Sequence, residues 1–541
     1  MPTRLIIDSE IAARDMPSLF GNEWKWPISL SQYDQPITDF IEWSDEFHSE
    51  ISDSQQLLAA FFLCKSALLA DLSYLSTALL DISISRHAGF VPEYGEDKYL
   101  YQMIDQDSYP QIVPAELQVT SQRLGMQAKL RASARRYARG MTDRRALRSS
   151  SVPDYSIGLN PLTREVAPET ARRIRLTHAD VIRGRSNQSI PKRVTGLAEL
   201  ISTKFCEFLA PVAGTVSPNY RAYIQWLVNE HFTYGWIDAG ATDLLNESAN
   251  TSQSRLFTGT GGGYAARLTA YQFGRSGRQV LRTTHGGDTP LFKDVIWPSV
   301  EFPFASTYVA YGEHGARNLA TNIANRSESS IQIYASNVVA AGSKYHQSIR
   351  DSATPTPSTN HSIRNISVIT GSFTGMYPVI PHMKLHDVVY LEWHRRLLAS
   401  ITNLGYLAVS KRHPKGLLAN KRLFSDVSHD ELLDAPMSAV EHSADAYVFD
   451  FPASAFMEAL CTLKPIVVID VSSRRMLPSA RTELANSVSF VSASFDERNR
   501  AVIDEAELME AIEKPVDIDA REQLIHDYLL RPSGDFRSIY D

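Results

Sequence analysis

The sequence has little cysteine, and its cysteines stand far apart. Only Cys64, Cys206 and Cys461 occur among 541 residues. An odd number of isolated cysteines, with no Cys-X-X-Cys pair and no neighbouring histidine cluster, indicates neither a disulfide framework nor a zinc site. We therefore expect a reducing compartment.

Long apolar runs and an excess of positive charge are also lacking. No run of about 18 apolar residues occurs, and the first residues lack the apolar stretch of a signal peptide. The chain carries 54 Lys and Arg against 61 Asp and Glu, a formal net charge of -7, which argues against a nucleic-acid partner. We expect a cytoplasmic protein, with peripheral attachment to the inner face of the membrane as an alternative.

What the sequence does contain is a change of pattern along the chain. An apolar segment at 52–83 predicts a buried helix, and two further helices with a Pro/Gly break follow from about residue 195. Beyond them, strand-like runs alternate with helical ones, the pattern of a parallel α/β sheet. We predict an α/β fold in which two domains with parallel sheets face a central cleft and an extra helical portion precedes them.

A polar segment divides the chain. Residues 345–362 carry two prolines and are predicted to be a linker. They separate an N-terminal α/β domain, 1–344, from a C-terminal α/β domain, 363–515. An amphipathic segment at 516–541 is predicted to pack back onto the N-terminal domain.

An arginine-rich region occupies about 120–195 of the N-terminal domain. Between Arg123 and Arg148, nine basic residues stand against the single acid Asp143. Two interpretations are open: a solvated insertion rich in Ser and Arg, or a surface, extending to Arg193, for anionic lipid head groups or an anionic acceptor.

Glycines follow a predicted strand at 258–264, "TGTGGGY". The segment departs from the dinucleotide fingerprint because Tyr264 replaces its last glycine, and it lacks the GK[ST] of a P-loop. The turn that contains Gly259 and Gly261 either binds an anion through its backbone N–H groups or serves only tight packing.

A second turn after a strand reads "LRTTHGGDTPLF", 281–292. Gly286 and Gly287 allow positive φ angles and close approach of another group. His285 and Asp288 bring side chains suited to acid–base chemistry near neutral pH. We interpret this turn as a catalytic site that receives a negatively charged substrate.

Cations crowd the end of a strand in the C-terminal domain, at "SKRHPKG", 410–416. Because crowded cations repel, they are best tolerated in water or with a shared anion, and a phosphate needs such donors. We predict that this loop binds the phosphate of a donor through Lys411, Arg412, His413 and Lys415.

A strand-to-helix junction, "DFPASAFMEAL", follows at 450–460. Ser454 is predicted to begin the helix as its N-cap and to meet a phosphate there. Glu458, one turn into the helix, could accept hydrogen bonds from ribose hydroxyls. Ser372, at the end of the strand in "NISVITGSF", completes the predicted donor-binding set. Together the segments predict a transferase whose C-terminal half binds the donor and whose N-terminal half holds the acceptor and the catalytic groups.

The His-Pro pair of "SKRHPKG" and the serine of "DFPASAFMEAL" resemble the HP and S motifs of bacterial sialyltransferases and retaining β-Kdo transferases. These are GT-B glycosyltransferases of bacterial surface-polysaccharide biosynthesis, including capsule and O-antigen. "HGG" followed by "YVAYGEHG" is similar to related surface-carbohydrate transferases and to CDP-glycerol glycerophosphotransferases. The resemblance covers about residues 250–475.

The resemblance implies that His413 and Ser454 contact the donor phosphate and that Glu458 holds the ribose. It also implies a CMP-activated ulosonic acid such as Kdo as donor, and a glycan or lipid-linked glycan as acceptor. No cofactor beyond the nucleotide sugar is expected. No metal is needed either, because a cationic loop can carry the charge of the leaving phosphate.

The catalytic carboxylate stays open between several residues. A retaining enzyme needs an aspartate nucleophile, for which Asp238 and Asp288 are candidates. An inverting enzyme needs a general base, for which Asp288, His285 and Glu313 are candidates. Two alternatives from other classes are a CDP-glycerol-type polyol-phosphate transferase and a non-catalytic protein that binds a nucleotide sugar or glycan.

Overall fold

A computed structural model describes most of the chain and builds it from two parallel sheets and a helical portion. The described residues are 3–21, 23–96, 98–109, 154–167, 173–175, 189–241, 254–293, 300–324, 335, 337–353, 363–373, 385–441, 443–472, 475–534 and 538. Most of the predicted arginine-rich surface, including Arg123 to Arg148, lies outside these residues.

Helices dominate the first 240 residues. In chain order, the elements there are β1 (Thr3–Ile6), α1 (Ser9–Leu19), α2 (Leu30–Phe47), α3 (Gln55–His87), β2 (Phe90–Glu93), α4 (Tyr99–Asp105), β3 (Asp154–Ile157), α5 (Pro161–Val166), β4 (Arg173–Arg175), α6 (Lys192–Ala213) and α7 (Pro218–Gly240). We call α1–α4 with α6 and α7 the helical portion.

Helix α3 is the core of the helical portion. Ser54 caps its first turn by accepting a hydrogen bond from Leu57 N at 3.3 Å. By length and composition alone α3 could cross a membrane, but most of its apolar window is buried inside the protein. Its charged residues are paired there, as Asp71 is with His231 Nε2 at 2.7 Å. The buried helix predicted at 52–83 is confirmed, because paired charges fit a protein core.

The first large sheet, with its flanking helices, forms the N lobe. Its six strands are all parallel, in the order β4-β3-β5-β6-β7-β8. The later elements are β5 (Leu256–Thr258), α8 (Tyr264–Arg275), β6 (Val280–Thr283), β7 (Thr307–Ala310), α9 (Glu313–Ala324), β8 (Asn337–Ala340) and α10 (Lys344–Ser352).

Two predicted segments of the N-terminal half are corrected. The region 120–195 is not one insertion, because β3 and β4 lie within it and β3 pairs directly with β5 inside the sheet. The linker predicted at 345–362 is helical up to Ser352, where α10 ends. Residues 354–362 lie outside the described part of the chain.

The second large sheet forms the C lobe. Its six parallel strands run in the order β11-β10-β9-β12-β13-β14. The elements are β9 (Asn365–Ile369), α11 (Asp387–Asn403), β10 (Leu407–Lys411), β11 (Asp430–Leu432), α12 (Met437–Glu441), β12 (Ala446–Phe449), α13 (Ser454–Leu460), β13 (Ile466–Asp470), α14 (Pro478–Leu484), β14 (Ser489–Ser492), β15 (Ser494–Phe495), β16 (Ala501–Val502), α15 (Glu505–Glu513) and α16 (Ile518–Ile525).

Both sheets have the doubly wound topology. Renumbered within the lobe, the C-lobe strands follow the Rossmann order 3-2-1-4-5-6, in which ligands bind where the strand order reverses, here between β9 and β12. The predicted α/β fold is confirmed: two Rossmann-type lobes and a helical portion, a GT-B-like architecture.

The end of the chain returns to the N lobe. A π-helical turn, His526–Leu530, follows α16, and Ser533 N donates to Ala340 O at the end of β8 at 2.9 Å. A Cβ on Gly312 would stand 2.3 Å from Asp527 O, so only glycine permits this approach.

The helical portion also contacts the C lobe. Asp81 of α3 is fully buried and accepts hydrogen bonds from the hydroxyls of Tyr33 and Tyr101, the latter at 2.7 Å. His386, which caps α11 of the C lobe, places Nε2 3.3 Å from the Asp81 carboxylate. The ring of Trp26 stacks on the His386 ring at 4.6 Å. One buried carboxylate therefore joins the helical portion to the C lobe.

Candidate functional site

The predicted donor residues lie along one edge of the C-lobe sheet. Ile369, the last residue of β9, pairs with Lys411 on one side and Phe449 on the other, so three strands end in one row. Ser372 and Ser454 follow the strands that flank the reversal of strand order. The predicted donor residues at these strand ends therefore lie at the edge where parallel sheets bind ligands.

Lys411 is a buried cation at this edge. The residue is only 6% exposed. In the described part of the chain, no group accepts a hydrogen bond from its amino group. Burial lowers the pKa of Lys411, and the carboxylates of Glu458 and Asp434 oppose this effect from a distance. A cation that is largely removed from water and makes no hydrogen bond is stabilised by a nearby anion, so this position is suited to a bound phosphate.

Arg412, by contrast, serves the fold. The residue is 1% exposed, and its guanidinium donates to Leu418 O and Lys421 O, both at 3.1 Å. It also lies 3.6 Å from the Glu431 carboxylate. These contacts hold the loop after β10 in shape. Binding of the donor phosphate by Arg412 stays a prediction, and in this arrangement the guanidinium is bonded inside the lobe.

The rest of the basic loop is closer to solvent. His413 is partly exposed, and its Nδ1 accepts a hydrogen bond from Lys415 N at 3.1 Å. This bond places the ring proton of a neutral His413 on Nε2. The side chain of Lys415 is exposed. His413 and Lys415 stay predicted donor contacts at the same sheet edge.

Ser454 contacts the other lobe. The N-cap of α13 is Ala453, without a side-chain hydrogen bond, and Ser454 is the first helical residue. The predicted capping role of Ser454 is therefore wrong. Its Oγ lies 2.8 Å from the place that a Cβ on Gly286 would occupy. The hydroxyl consequently lies directly against the turn 285–288 of the N lobe, which we call the HGGD turn.

Glu458 is engaged by the N lobe as well. Its carboxylate accepts a hydrogen bond from Tyr345 Oη of α10 at 2.8 Å, and burial raises the pKa of Glu458. Glu165 of the N lobe in turn accepts from Lys344 N and Tyr345 N, at 2.8 and 3.0 Å. Glu458 thus contacts a tyrosine in this arrangement, where the resemblance implied a ribose.

The HGGD turn is built on two glycines with positive φ, 81° at Gly286 and 84° at Gly287. His285 is exposed, whereas Asp288 is buried. A Cβ on Gly287 would stand 2.8 Å from the ring of Tyr311. Burial, then the negative charges of Glu165, Asp288 and Glu458, raise the pKa of Tyr311. The negative charges of three carboxylates, two from the N lobe and one from the C lobe, therefore act on this tyrosine.

Two predicted catalytic carboxylates make contacts between elements of the fold. Asp238 is buried in α7 and accepts a hydrogen bond from Tyr264 Oη at 2.6 Å, which ties α7 to α8. Glu313 forms an ion pair with Arg531 Nε at 2.7 Å, which fixes the returning end of the chain. Both side chains thus make contacts between elements, and their catalytic assignment stays a prediction. The other two candidates, His285 and Asp288, lie in the HGGD turn.

The glycines of 259–263, which we call the glycine turn, are first of all packing residues. Gly259 N donates to Gly158 O at 3.1 Å, and a Cβ on Gly259 would lie 2.4 Å from that oxygen. Gly261 N donates to the buried carboxylate of Glu301 at 3.0 Å. For Gly259 and Gly261, the packing interpretation accounts for both N–H groups.

The two lobes are in direct backbone contact beside the HGGD turn. Lys293 N donates to Arg475 O and Leu477 N donates to Leu291 O, both at 2.9 Å. Between these bonds, Phe292 and Met476 form an antiparallel bridge. Phe292 also lines a small cavity at the C-lobe edge, together with Asp450, Pro452, Val468, Ile469, Asp470, Val471, Met476, Arg481 and Phe490.

Sequence reasoning missed the residues that connect the two edges. Tyr345 stood in the predicted linker and Glu165 in the predicted insertion, so neither was considered. One local signal was present: Asn160-Pro161 is a typical helix start, and Asn160 does cap α5. Asn160 Nδ2 also donates to Gly259 O and Thr284 O, at 2.7 and 2.8 Å, and so joins both turns.

Comparison with known proteins gives weak matches. No family model matches the sequence, and no curated protein matches it significantly. Similar solved structures include Os79 from O. sativa in complex with UDP, at 10% identity and a TM-score of 0.29, over 71% of this chain and 89% of that chain. Another is the glycosyltransferase SnogD from Streptomyces nogalater, at 13% identity and a TM-score of 0.28, over 72% of this chain and 99% of that chain. At such TM-scores neither indicates a reaction, so function is inferred from this chain's own residues.

Replacing Gly286 by alanine is expected to disturb the contact between the lobes. The new Cβ would stand 2.7 Å from Asp288 Oδ1 and 2.8 Å from Ser454 Oγ, at a φ of 81°. We expect a loss of about 1–3 kcal/mol in the free energy of unfolding, measured by chemical denaturation. Gly263→Ala is the control, because nothing lies within 4 Å of a Cβ there. Equal stability of the two variants would contradict the described contact.

Proposed function

We propose that this protein is a glycosyltransferase whose C lobe binds a nucleotide-activated sugar and whose HGGD turn acts on the acceptor. The observation that carries the proposal is Lys411, a buried cation with no hydrogen-bond partner in the described part of the chain, at the ligand-binding edge of a Rossmann-type sheet. A phosphate of the donor would supply the missing anion.

The proposed arrangement divides the reaction between the lobes. Lys411 compensates the charge that develops on the leaving phosphate, and the Ser454 hydroxyl, next to Gly286, lies where the two lobes meet. His285 is the exposed candidate base and Asp288 the buried carboxylate beside it. Since Lys411 already supplies positive charge, the proposal includes no metal.

The finer identity of the substrates is proposed from the sequence motifs. The HP and S motifs support a CMP-linked ulosonic acid such as Kdo as donor. They support a surface polysaccharide or glycolipid as acceptor, handled at the cytoplasmic face of the membrane. His413 and Ser454, which carry those motifs, both follow strands that end at the C-lobe edge.

A panel of nucleotides tests the donor. A ligand that binds only the folded state stabilises it by RT ln(1 + [L]/Kd), which amounts to about 2.7 kcal/mol at 100 times Kd. We expect CMP to raise the midpoint of thermal unfolding more than CDP, UDP or GDP does at equal concentration. Stabilisation by UDP alone would contradict the CMP assignment, and no stabilisation by any nucleotide would contradict the transferase proposal.

A further inference from the structure

The N-terminus of α8, at the glycine turn, has N–H groups that its own fold leaves unused. Gly263 is the N-cap, and no side chain caps the helix. The first N–H groups of any helix lack intrahelical partners. Those of Gly263, Ala265 and Ala266 have no other partner among the described residues. Gly263 itself is exposed, so solvent or a ligand can reach this end of the helix.

A buried positive charge lies beneath the same turn. Arg282 is 0% exposed, and its Nη1 stands 2.8 Å from the place of a Cβ on Gly261. That nitrogen donates to the main-chain oxygens of Glu301 and Pro303, at 2.8 and 2.7 Å. Within the described part of the chain, Nε and Nη2 of Arg282 have no hydrogen-bond partner. The guanidinium is therefore only partly satisfied.

A second buried guanidinium lies close to the turn. Arg267 is buried too, and its Nη1 donates to Gly261 O at 2.7 Å. Burial lowers the pKa of Arg267 to about 10, which leaves the side chain cationic at neutral pH. Beside Arg267 and Arg282 lies the buried carboxylate of Glu301, which accepts hydrogen bonds from Gly261 N and the Thr260 hydroxyl. The buried Asp238 carboxylate accepts a hydrogen bond from the hydroxyl of Tyr264, the first residue of α8. The helix dipole adds positive potential at this end of α8.

We propose that the N-terminus of α8, with Arg282 beneath it, is an anion site that binds a phosphoryl group of the acceptor. The inference rests on the proposed function, because it assigns the second substrate of the same cleft. Strands β5 and β6 are neighbours, and Asn160 bonds to Gly259 O and Thr284 O. The site therefore lies at the same sheet edge as the HGGD turn, in the lobe opposite Lys411.

The chain offers a test that does not disturb its core. Gly263 has φ -85° and ψ 132°, which any residue adopts, and open space around a Cβ. Gly263→Asp would place a carboxylate on the unused N–H groups, where aspartate is a preferred cap. Gly263→Ala leaves those groups open. We expect both variants to fold, with the aspartate variant at least as stable in thermal unfolding as the alanine variant.

Calorimetric titration with inorganic phosphate separates the two variants. The wild type and Gly263→Ala should bind phosphate with similar Kd, whereas Gly263→Asp should bind at least about tenfold more weakly, since a like charge fills the site. The titrations are repeated in a Lys411→Met background, so that phosphate bound in the C lobe does not contribute. Absence of phosphate binding, or equal binding by Gly263→Asp and Gly263→Ala, overturns the assignment.

Two further arms identify the source of the phosphoryl group. One uses a soluble sugar phosphate, and the other uses neutral vesicles with and without a phosphate-bearing lipid. Binding that Gly263→Asp abolishes in either arm supports the site and assigns its ligand as soluble or lipid-linked; failure in both overturns the acceptor assignment. Nucleotide binding by Gly263→Asp should equal that of the wild type, so failure here leaves the donor proposal standing.

Discussion

Lys411→Met is expected to weaken nucleotide binding about 100-fold. A hydrogen bond from a charged donor to a phosphate contributes about 1.5–3 kcal/mol, and every 1.4 kcal/mol is a factor of ten in Kd. Lys411 is placed at the upper end of this range because the residue is only 6% exposed, so water competes less there than at an exposed lysine. Titration of the wild type and the variant with CMP measures the change.

Lys415→Met is the matched control for Lys411→Met. It removes the same charge from the same loop, but the Lys415 side chain is exposed. We expect its Kd to change by less than about threefold, as is usual for a solvated charge. The free energy of unfolding without nucleotide should not fall in Lys411→Met, because the variant removes a desolvated, unpaired cation. An equal loss of affinity in both variants would exclude Lys411 as the specific phosphate contact.

The second large effect is expected at Asp81. Asp81→Ala leaves Tyr33, Tyr101 and His386 without their shared acceptor in a buried place. Each stranded donor costs about 1–3 kcal/mol, and the partners relax only in part. We expect a loss of about 4 kcal/mol in the free energy of unfolding, measured by equilibrium denaturation.

Asp53→Ala is the control for Asp81→Ala. Asp53 pairs with Arg193 at 2.7 Å, but both side chains are largely exposed. Exposed pairs contribute about 0–1 kcal/mol, so the control should differ little from the wild type. A loss below about 1 kcal/mol in Asp81→Ala would mean that the helical portion and the C lobe are not held together by this carboxylate.

Strands in the two lobes were predictable from sequence where they alternate with clear helices. The segments that give β5, β6, β9, β10 and β12 were all recognised, because apolar runs end there in glycine or polar turns. Strand β3 was missed because its four residues, Asp154–Ile157, stand between arginine-rich segments. Because the flanking segments are rich in arginine, β3 was not recognised as an inner strand of the N-lobe sheet.

Side-chain roles were harder to predict than strand ends. Lys411 and Arg412 are neighbours of like charge, yet one lacks a hydrogen-bond partner in the described part of the chain and the other is bonded to two carbonyls. The loop after β10 decides this difference. Its Leu418 and Lys421 carbonyls, six and nine residues after Arg412, accept hydrogen bonds from the guanidinium. Glu458 and Tyr345 meet across 113 residues, a pairing that no local pattern contains.

The backbone bonds between Leu291–Lys293 and Arg475–Leu477 have a mechanical consequence. Asp288 precedes the first of these residues by only three positions, and such a short peptide cannot stretch to absorb a displacement. Any displacement of the C lobe relative to the N lobe would therefore either carry the Asp288 backbone along or break these bonds. The position of this carboxylate is coupled to the position of the C lobe.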